Sequence, residues 1–423
     1  MTFQIYTLGC KVNTYESSVI SDLLKNKGYI EVNNDLADII VINTCSVTNT
    51  ADNKSMKIIR RAINNNSKSI IIVCGCLVQN KQTTIDGVDI IIGNINKTKI
   101  VDYIEEYLKT NKTKIDISDI SNTEFEPMIL NNFNKTRAFV KIQDGCNNFC
   151  TYCVIPYTRG NVRSKRKNDV ITEIKNLIEN GHKEIVLTGI HTGNYGSEFE
   201  NYDFANLLEE LVLIEGLVRL RISSLEATEI NDRILNILKN NKILVDHFHI
   251  PLQSGSNTVL KRMNRKYQME KFIEIINKIR EIRNNISITT DVIVGFPGET
   301  EEEFQETVNE INKIKFTKLH VFAYSKRDGT PASKLDNQID EKNKKQRVKT
   351  LLEISKNLEL EYMEKFLNST ITFLPETLNN NNITGHSGNY LQIKTKGDKN
   401  DLNKDIEVKL EKIEYPYIIG TRI

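Results

Sequence analysis

Apolar and polar positions alternate with three different rhythms along this chain. The first third carries short unbroken apolar runs, 3–8, 39–42 and 70–73, each running into a turn. Helical periodicity follows at 15–26, 51–63 and 98–108. Continuous apolar strands alternating with helices imply a parallel sheet covered on both faces. Residues 110–136 are rich in Lys, Thr, Asn, Ser and Asp without periodicity, which predicts a linker. The strand–helix rhythm then resumes. Strands are expected at 138–143, 183–188, 218–223, 245–250, 286–294 and 317–323, and helices at 168–180, 203–214, 229–239, 268–283 and 300–313. Six such units fit a partial parallel (βα)6 barrel, an opened relative of the eight-fold form. A charged amphipathic helix is expected over 341–366. Beyond it the period shortens to two at 371–378, 389–395, 406–411 and 418–423, with Asn, Gly and Asp turns between, which predicts a small antiparallel β-barrel. Residues 379–382 read as a loop insert in a hairpin. The expected fold class is therefore α/β, in units 1–109, 110–136 (linker), 137–366 and 367–423.

Composition adds few constraints. At 423 residues the chain has room for two or three domains. A formal net charge of +2 supplies no global field, so any nucleic-acid contact must come from local patches. No run reaches the 18 or so apolar residues that span a bilayer, and the first residues enter a strand without a basic and apolar leader. Seven cysteines, an odd number in a long chain, do not read as a disulfide scaffold. The expectation is a cytoplasmic protein without membrane partners.

The cysteines carry the chemistry. Cys146, Cys150 and Cys153 form a C-x3-C-x2-C triplet directly after the first strand of the second repeat. A four-iron cubane is normally closed by four cysteines, so three leave one iron open to another ligand. Zinc would ask for a fourth nearby ligand, and the nearest histidine is His182. Cys10, Cys45, Cys74 and Cys76 all follow or end the apolar runs of the first unit. Open α/β sheets carry ligands at the carboxyl ends of their strands, so these loops can converge. One buried cysteine there would be a small hydrophobe; three at equivalent strand ends suggest a second three-thiolate site. Gly75-Cys76 parallels Gly9-Cys10, which makes Cys76 the expected ligand and Cys74 part of the strand.

The triplet resembles the cluster motif of radical S-adenosylmethionine enzymes. With Thr7-Leu8-Gly9-Cys10-Lys11-Val12-Asn13, Asn43-Thr44-Cys45, Ile155-Pro156 and Thr188-Gly189-Ile190-His191-Thr192-Gly193, the whole chain is similar to the methylthiotransferases of that group. The likeness is to the branch that acts on N6-threonylcarbamoyladenosine beside the anticodon of tRNA. The resemblance implies an N-terminal cluster domain, a radical core and a C-terminal RNA-binding β-barrel called TRAM. It implies two [4Fe–4S] clusters, S-adenosylmethionine, a tRNA substrate, a sulfur donor, and an electron donor such as flavodoxin or ferredoxin. One cluster, on Cys146, Cys150 and Cys153, would serve radical formation, and the other, on Cys10, Cys45 and Cys76, sulfur delivery. Tyr152 is expected either to pack on the cofactor adenine or to be an ordinary core aromatic. Thr188 and Gly189 occupy the place of the family's cofactor-ammonium motif. Ser224 and Glu226, Gln253, and Asp291 with Gly295 end the third, fourth and fifth strands and are expected to wall the cofactor. The basic run Arg159, Arg163, Lys165, Arg166 and Lys167 suits phosphate contacts that position RNA, although a charge run is commonly a solvated face. The same chemistry on isopentenyladenosine or on a ribosomal-protein aspartate is the sibling alternative. An iron–sulfur electron carrier or RNA-binding scaffold is the non-enzymatic one.

Overall fold

The computed structural model describes residues 1–423 apart from 34, 35, 66, 67, 82, 83 and 122. The first sheet has six parallel strands, in the spatial order Ile30–Glu31, Thr2–Thr7, Ile39–Thr44, Ile70–Gly75, Ile90–Ile92, Lys114–Asp116. Ile39–Thr44 and Ile70–Gly75 are buried at every position, which is why their sequences are unbroken apolar runs. Helices Lys11–Asn26 and Ile100–Thr110 pack on one face through Ile20, Leu24, Ile100 and Ile104. Helix Asn49–Asn65 covers the other through Ile59 and Ala62. The helices following Thr2–Thr7 and Ile39–Thr44 thus leave toward opposite faces. The two loops flank that switch in strand order, where open α/β sheets carry their ligand sites. Cys10 and Cys45 stand in these two loops.

Six further parallel strands build the central unit. Arg137–Lys141, Glu184–Thr188 and Arg219–Ile222 form one group, and His247–His249, Ser287–Val294 and Lys318–Ala323 the other. A bridge between Leu220 and Leu244 joins the groups. The period-two rule sorts their side chains. His247 and His249, Thr289 and Asp291, and Lys318, His320 and Phe322 all face one central cavity. Helix Glu341–Glu364 leads into a closed barrel ordered Thr370–Asn379, Asn382–Ser387, Gln392–Lys396, Tyr417–Arg422, Ile406–Glu414.

Two expectations are corrected. Asn382–Ser387 is a barrel strand where none was expected, and the loop before it shortens to residues 380–381. Only Ile383 is strongly apolar there, and the inward places beside it are taken by Gly385 and Ser387. A side chain at Gly385 would run into the Leu374 carbonyl, so close strand packing hides the usual apolar signal. Residues 110–136 are not a free spacer, residue 122 lying outside the described set. Lys114–Asp116 adds the edge strand, and Met128, Leu130 and Phe133 enter the central core. Backbone groups anchor this segment: Tyr15 donates to the Met128 carbonyl at 2.8 Å, and the Leu130 N–H donates to Glu173 at 2.8 Å. A polar, aperiodic composition gives no sign of such anchoring.

The first and central units meet across a buried ionic network. Glu16 is fully buried and accepts from Lys141 at 2.8 Å, from Arg159 at 2.8 Å, and from Lys97. Asp144 lies 2.6 Å from Lys141, 3.1 Å from Arg159 and 3.4 Å from Arg163. Arg159 also donates to Asn13 at 2.9 Å. Burial alone would raise the pKa of Glu16, but Arg159, Lys141 and Lys97 outweigh it and hold the carboxyl well below its usual range. Removing one member leaves the others as uncompensated buried charge, at a cost of about 3–5 kcal/mol. Glu16→Gln is therefore expected to lower unfolding stability by about that amount, read by chemical denaturation. A depressed carboxyl stabilises the fold above its unfolded pKa, about 4.3 for Glu, and loses that contribution as pH falls toward the folded value. The gap between wild type and Glu16→Gln should accordingly be widest near neutral pH and shrink in acid; a gap that grew in acid would refute the assignment.

Candidate functional site

The loop that carries the triplet is held from several sides. The Cys146 N–H donates to the Gly160 carbonyl at 3.0 Å, the Thr151 hydroxyl to the Arg262 carbonyl at 2.8 Å, and the Ala332 N–H to the Thr151 carbonyl at 2.8 Å. Each thiol of the triplet meets a donor: the Asn148 N–H reaches Cys146 at 3.5 Å, the Ile155 N–H reaches Cys153 at 3.4 Å, and Arg265 reaches Cys150 at 3.5 Å. Donors aimed at sulfur favour the thiolate and tune any metal bound to it. Arg265 also pairs with Glu226, which fixes its guanidinium beside the loop. His191 lies 3.7 Å from Cys146 and pairs with Glu229.

The second group sits at the sheet edge described above. Cys10 is the residue before helix Lys11–Asn26, Cys45 follows strand Ile39–Thr44, and Cys76 opens the short helix Cys76–Lys81. A Cβ on Gly9 would come within 2.7 Å of the Cys45 Cβ and 3.0 Å of its sulfur, at φ +104°. Glycine is what lets these two loops touch. Burial pushes the Cys45 thiol up to about 11, with Cys76 and Cys10 as neighbouring charges that add to the rise. Asn94 donates to Cys76 at 3.5 Å. Cys74, by contrast, is fully buried in its strand among Ile20, Ile39, Ile72 and Ile92, on the apolar face of the sheet. Among the described residues no three His, Cys, Asp or Glu side chains converge on a single-ion position. A cubane asks for something different, because each thiolate binds a separate iron. The donor chemistry fits: each of the two sites offers three cysteines and N–H groups aimed at sulfur, and buried cations lie beside the first-unit cysteines. Four of those cations, Lys97, Lys141, Arg159 and Arg163, face the two carboxylates Glu16 and Asp144.

Cys10 and all three cysteines of the triplet line one cavity of about 910 Å³. That lies near the top of the range of about 300–1,000 Å³ usual for small-molecule sites. Tyr152, Thr188, Gly189, Ser224, Glu226, Gln253 and Asp291 also line it, so the strand-end residues singled out from the sequence converge. Tyr152 additionally packs against the small core of Val259, Met263, Phe296 and Tyr324, so the two readings of it describe its two faces. Gln253 adopts φ +62°, a conformation rare outside glycine and often retained at binding sites. Gly295 does not line the cavity. Its N–H donates to Glu299 at 2.6 Å and any side chain there would strike Lys344, so it serves the turn before helix Glu301–Ile314.

The basic run needs the larger correction. Arg159, Arg163 and Lys165 are all at least 95 % buried and cannot meet a phosphate. Arg159 and Arg163 belong to the ionic network, and Lys165 pairs with Glu173. Only Arg166 and Lys167 reach solvent, and Lys167 already pairs with Glu210 at 3.1 Å. Several cavity residues had no sequence signal of their own: His320, and Tyr390 and His386 from the C-terminal barrel; Lys11 stood in a quoted motif without a role. Tyr390 stacks on His247 at 4.6 Å.

Residues 140–311 match the Radical SAM superfamily and residues 2–93 an uncharacterised family, UPF0004. The threonylcarbamoyladenosine tRNA methylthiotransferase MtaB of Bacillus subtilis is 46% identical, over 99% of this chain and 96% of its own length. The tRNA-2-methylthio-N(6)-dimethylallyladenosine synthase of Alkaliphilus oremlandii is 35% identical, over 96% of this chain and 90% of its own. Among solved structures, the radical S-adenosylmethionine methyltransferase TsrM of Kitasatospora setae, with cobalamin and a [4Fe–4S] cluster bound, shares the fold. Its TM-score is 0.57 at 13% identity, covering 78% of this chain and 76% of that one. No helix among the described residues is long and apolar enough to cross a membrane. Full-length identity at this level leaves one conclusion: the chain belongs to the methylthiotransferase family of radical S-adenosylmethionine enzymes.

Proposed function

We propose that the chain adds a methylthio group to N6-threonylcarbamoyladenosine in tRNA, giving the 2-methylthio derivative. The observation that carries the reading is that Cys10 and the triplet open on one cavity, within reach of one bound nucleoside. The names of the relatives in two branches support the reaction class, and the higher identity favours the threonylcarbamoyl branch. In this reading Cys146, Cys150 and Cys153 hold one [4Fe–4S] cluster and Cys10, Cys45 and Cys76 the other. When bound, these clusters and S-adenosylmethionine supply the hydrogen-abstracting radical and the sulfur and methyl groups.

The chain's own residues then have definable work. The Asn148 and Ile155 N–H groups and the Arg265 guanidinium donate to the three cysteine sulfurs and orient them. The Arg265–Glu226 pair fixes one wall of the cavity beside Cys150. Tyr152, Thr188, Gly189, Ser224, Gln253 and Asp291 hold the cofactor against that wall. The ionic network holds the Cys10 loop at a fixed distance from the triplet, so that both reactive centres meet one substrate carbon. In this reading Arg166 and Lys167, the exposed members of the basic run, meet tRNA phosphates, Lys167 exchanging its Glu210 partner to do so. A flavodoxin- or ferredoxin-like electron donor and a sulfur donor complete the reaction, and the cytoplasm suits both the reducing chemistry and the tRNA.

Cys146→Ala is expected to abolish cleavage of S-adenosylmethionine and to halve bound iron from about eight to about four per chain after anaerobic reconstitution. Cys45→Ala should lose the same iron, keep cofactor cleavage and stop methylthio formation. Methylthio product from Cys45→Ala would refute the two-site assignment, and loss of iron from Cys74→Ala would move the third ligand from Cys76. For the substrate, reduced enzyme offered equal amounts of tRNA bearing threonylcarbamoyladenosine and tRNA bearing isopentenyladenosine should modify the first, read by nucleoside mass spectrometry. Preferential modification of the second would place the chain in the sibling branch.

A further inference from the structure

The cavity is lined by residues from all three units. Lys11 comes from the first turn of helix Lys11–Asn26, His247, His249 and His320 from the central strands, and Tyr390, His386 and Gln392 from the C-terminal barrel. Most charges here already have partners. Arg221 binds Glu184 at 2.6 Å, Arg137 binds Glu376 at 3.1 Å, Lys318 binds Glu359 at 2.9 Å, and Asp291 faces His249 at 3.3 Å. Lys11 differs: among the described residues its ammonium has no hydrogen bond and no carboxylate. The titratable groups nearest it are the Tyr390 phenol, the Cys10 thiol and the guanidiniums of Arg137 and Arg221, and both guanidiniums already have carboxylate partners.

Tyr390 is built to present its hydroxyl. It adopts φ +69°, unusual for an aromatic residue, in a turn closed by the Ser387 N–H on the Leu391 carbonyl and the Tyr390 N–H on the Ser387 carbonyl. Its ring is clamped between His247 and the Arg221 guanidinium, the latter 4.6 Å from the ring centre. Arg137 donates to the phenolic oxygen at 3.1 Å, which leaves the phenolic O–H without an acceptor among the described residues. An ammonium and a phenolic O–H that line one cavity, neither with a partner of its own among the described residues, are a donor pair for an anion.

We infer that Lys11 and Tyr390 together bind the carboxylate of the threonylcarbamoyl group. The inference rests on the proposed substrate. It explains how this cavity would prefer an anionic N6 substituent to an apolar one: a branched alkyl group would leave the ammonium buried without a partner. It also gives the C-terminal barrel a part in substrate choice apart from any RNA contact.

The test uses reconstituted, unreduced holoenzyme and two anticodon stem–loop RNAs. One carries threonylcarbamoyladenosine and the other the same nucleoside with its carboxylate converted to the primary amide. Dissociation constants come from fluorescence anisotropy at one salt concentration. Wild type should bind the acid about 10- to 100-fold more tightly than the amide, the size of one charged hydrogen-bonded contact. Lys11→Gln should bind the two alike, Lys11→Arg should keep the preference, and Tyr390→Phe should lose part of it. A Lys11→Gln variant that kept the wild-type preference would overturn the inference, as would loss of both RNAs by the Gln and Arg variants alike. Wild type that did not distinguish acid from amide would also overturn it, while leaving the proposed reaction intact. Failure of the reduced wild-type enzyme to methylthiolate the acid RNA would instead remove the proposed substrate itself.

Discussion

The placing of the two cysteine groups depends on a carboxylate buried between domains. Glu16 sits six residues beyond Cys10, on the helix that Cys10 precedes, and gathers Lys97 from its own unit and Lys141 and Arg159 from the central one. Arg159 stands six residues after Cys153 in the chain, so the same guanidinium ties the end of the triplet loop to the helix that begins at Cys10. A hydrophobic interface would bring the units together but would tolerate sliding. Directional, charge-assisted bonds between fully buried partners do not. The geometry of the shared cavity follows from that restriction.

The surplus of buried positive charge has a second effect. Four cations against two carboxylates would be an expensive arrangement in a low-dielectric interior. Thiolates bound to iron are the natural counter-charge, and Cys76 and Cys10 lie beside this network. Cys76 is among the charges that hold Arg159 protonated. Domain docking and cluster electrostatics are thereby one arrangement of side chains.

The repeating strands were readable because buried parallel strands are written as continuous Ile and Val, and the helices because their apolar stripes have a clear period. The three-cysteine spacing carried the chemistry, and strand-end position carried most of the cavity lining. Side chains whose role depends on distant partners could not be read. Arg159, Arg163 and Lys165 look like a surface patch in sequence, and only the fold reveals Glu16, Asp144 and Glu173 opposite them. Lys11 and Tyr390 lie 379 positions apart and become neighbours only after three units have docked. Strand Asn382–Ser387 escaped notice because its inward positions are filled by glycine and serine, and Lys114–Asp116 because a three-residue edge strand leaves no pattern.

The C-terminal strands close on themselves, with Thr370–Asn379 paired to both Asn382–Ser387 and Ile406–Glu414, and Tyr417–Arg422 bonded to Gln392–Lys396 and Ile406–Glu414. A closed sheet has no row of free N–H and C=O groups, so this unit cannot recruit another chain by adding a strand. Whatever it grips, it must grip with side chains and loop tips. One of those tips, Ser387 to Leu391, is turned inward to floor the cavity. The barrel's outward face and its inward loop are therefore rigidly connected, and a macromolecule held on the outside is held in register with the nucleoside inside.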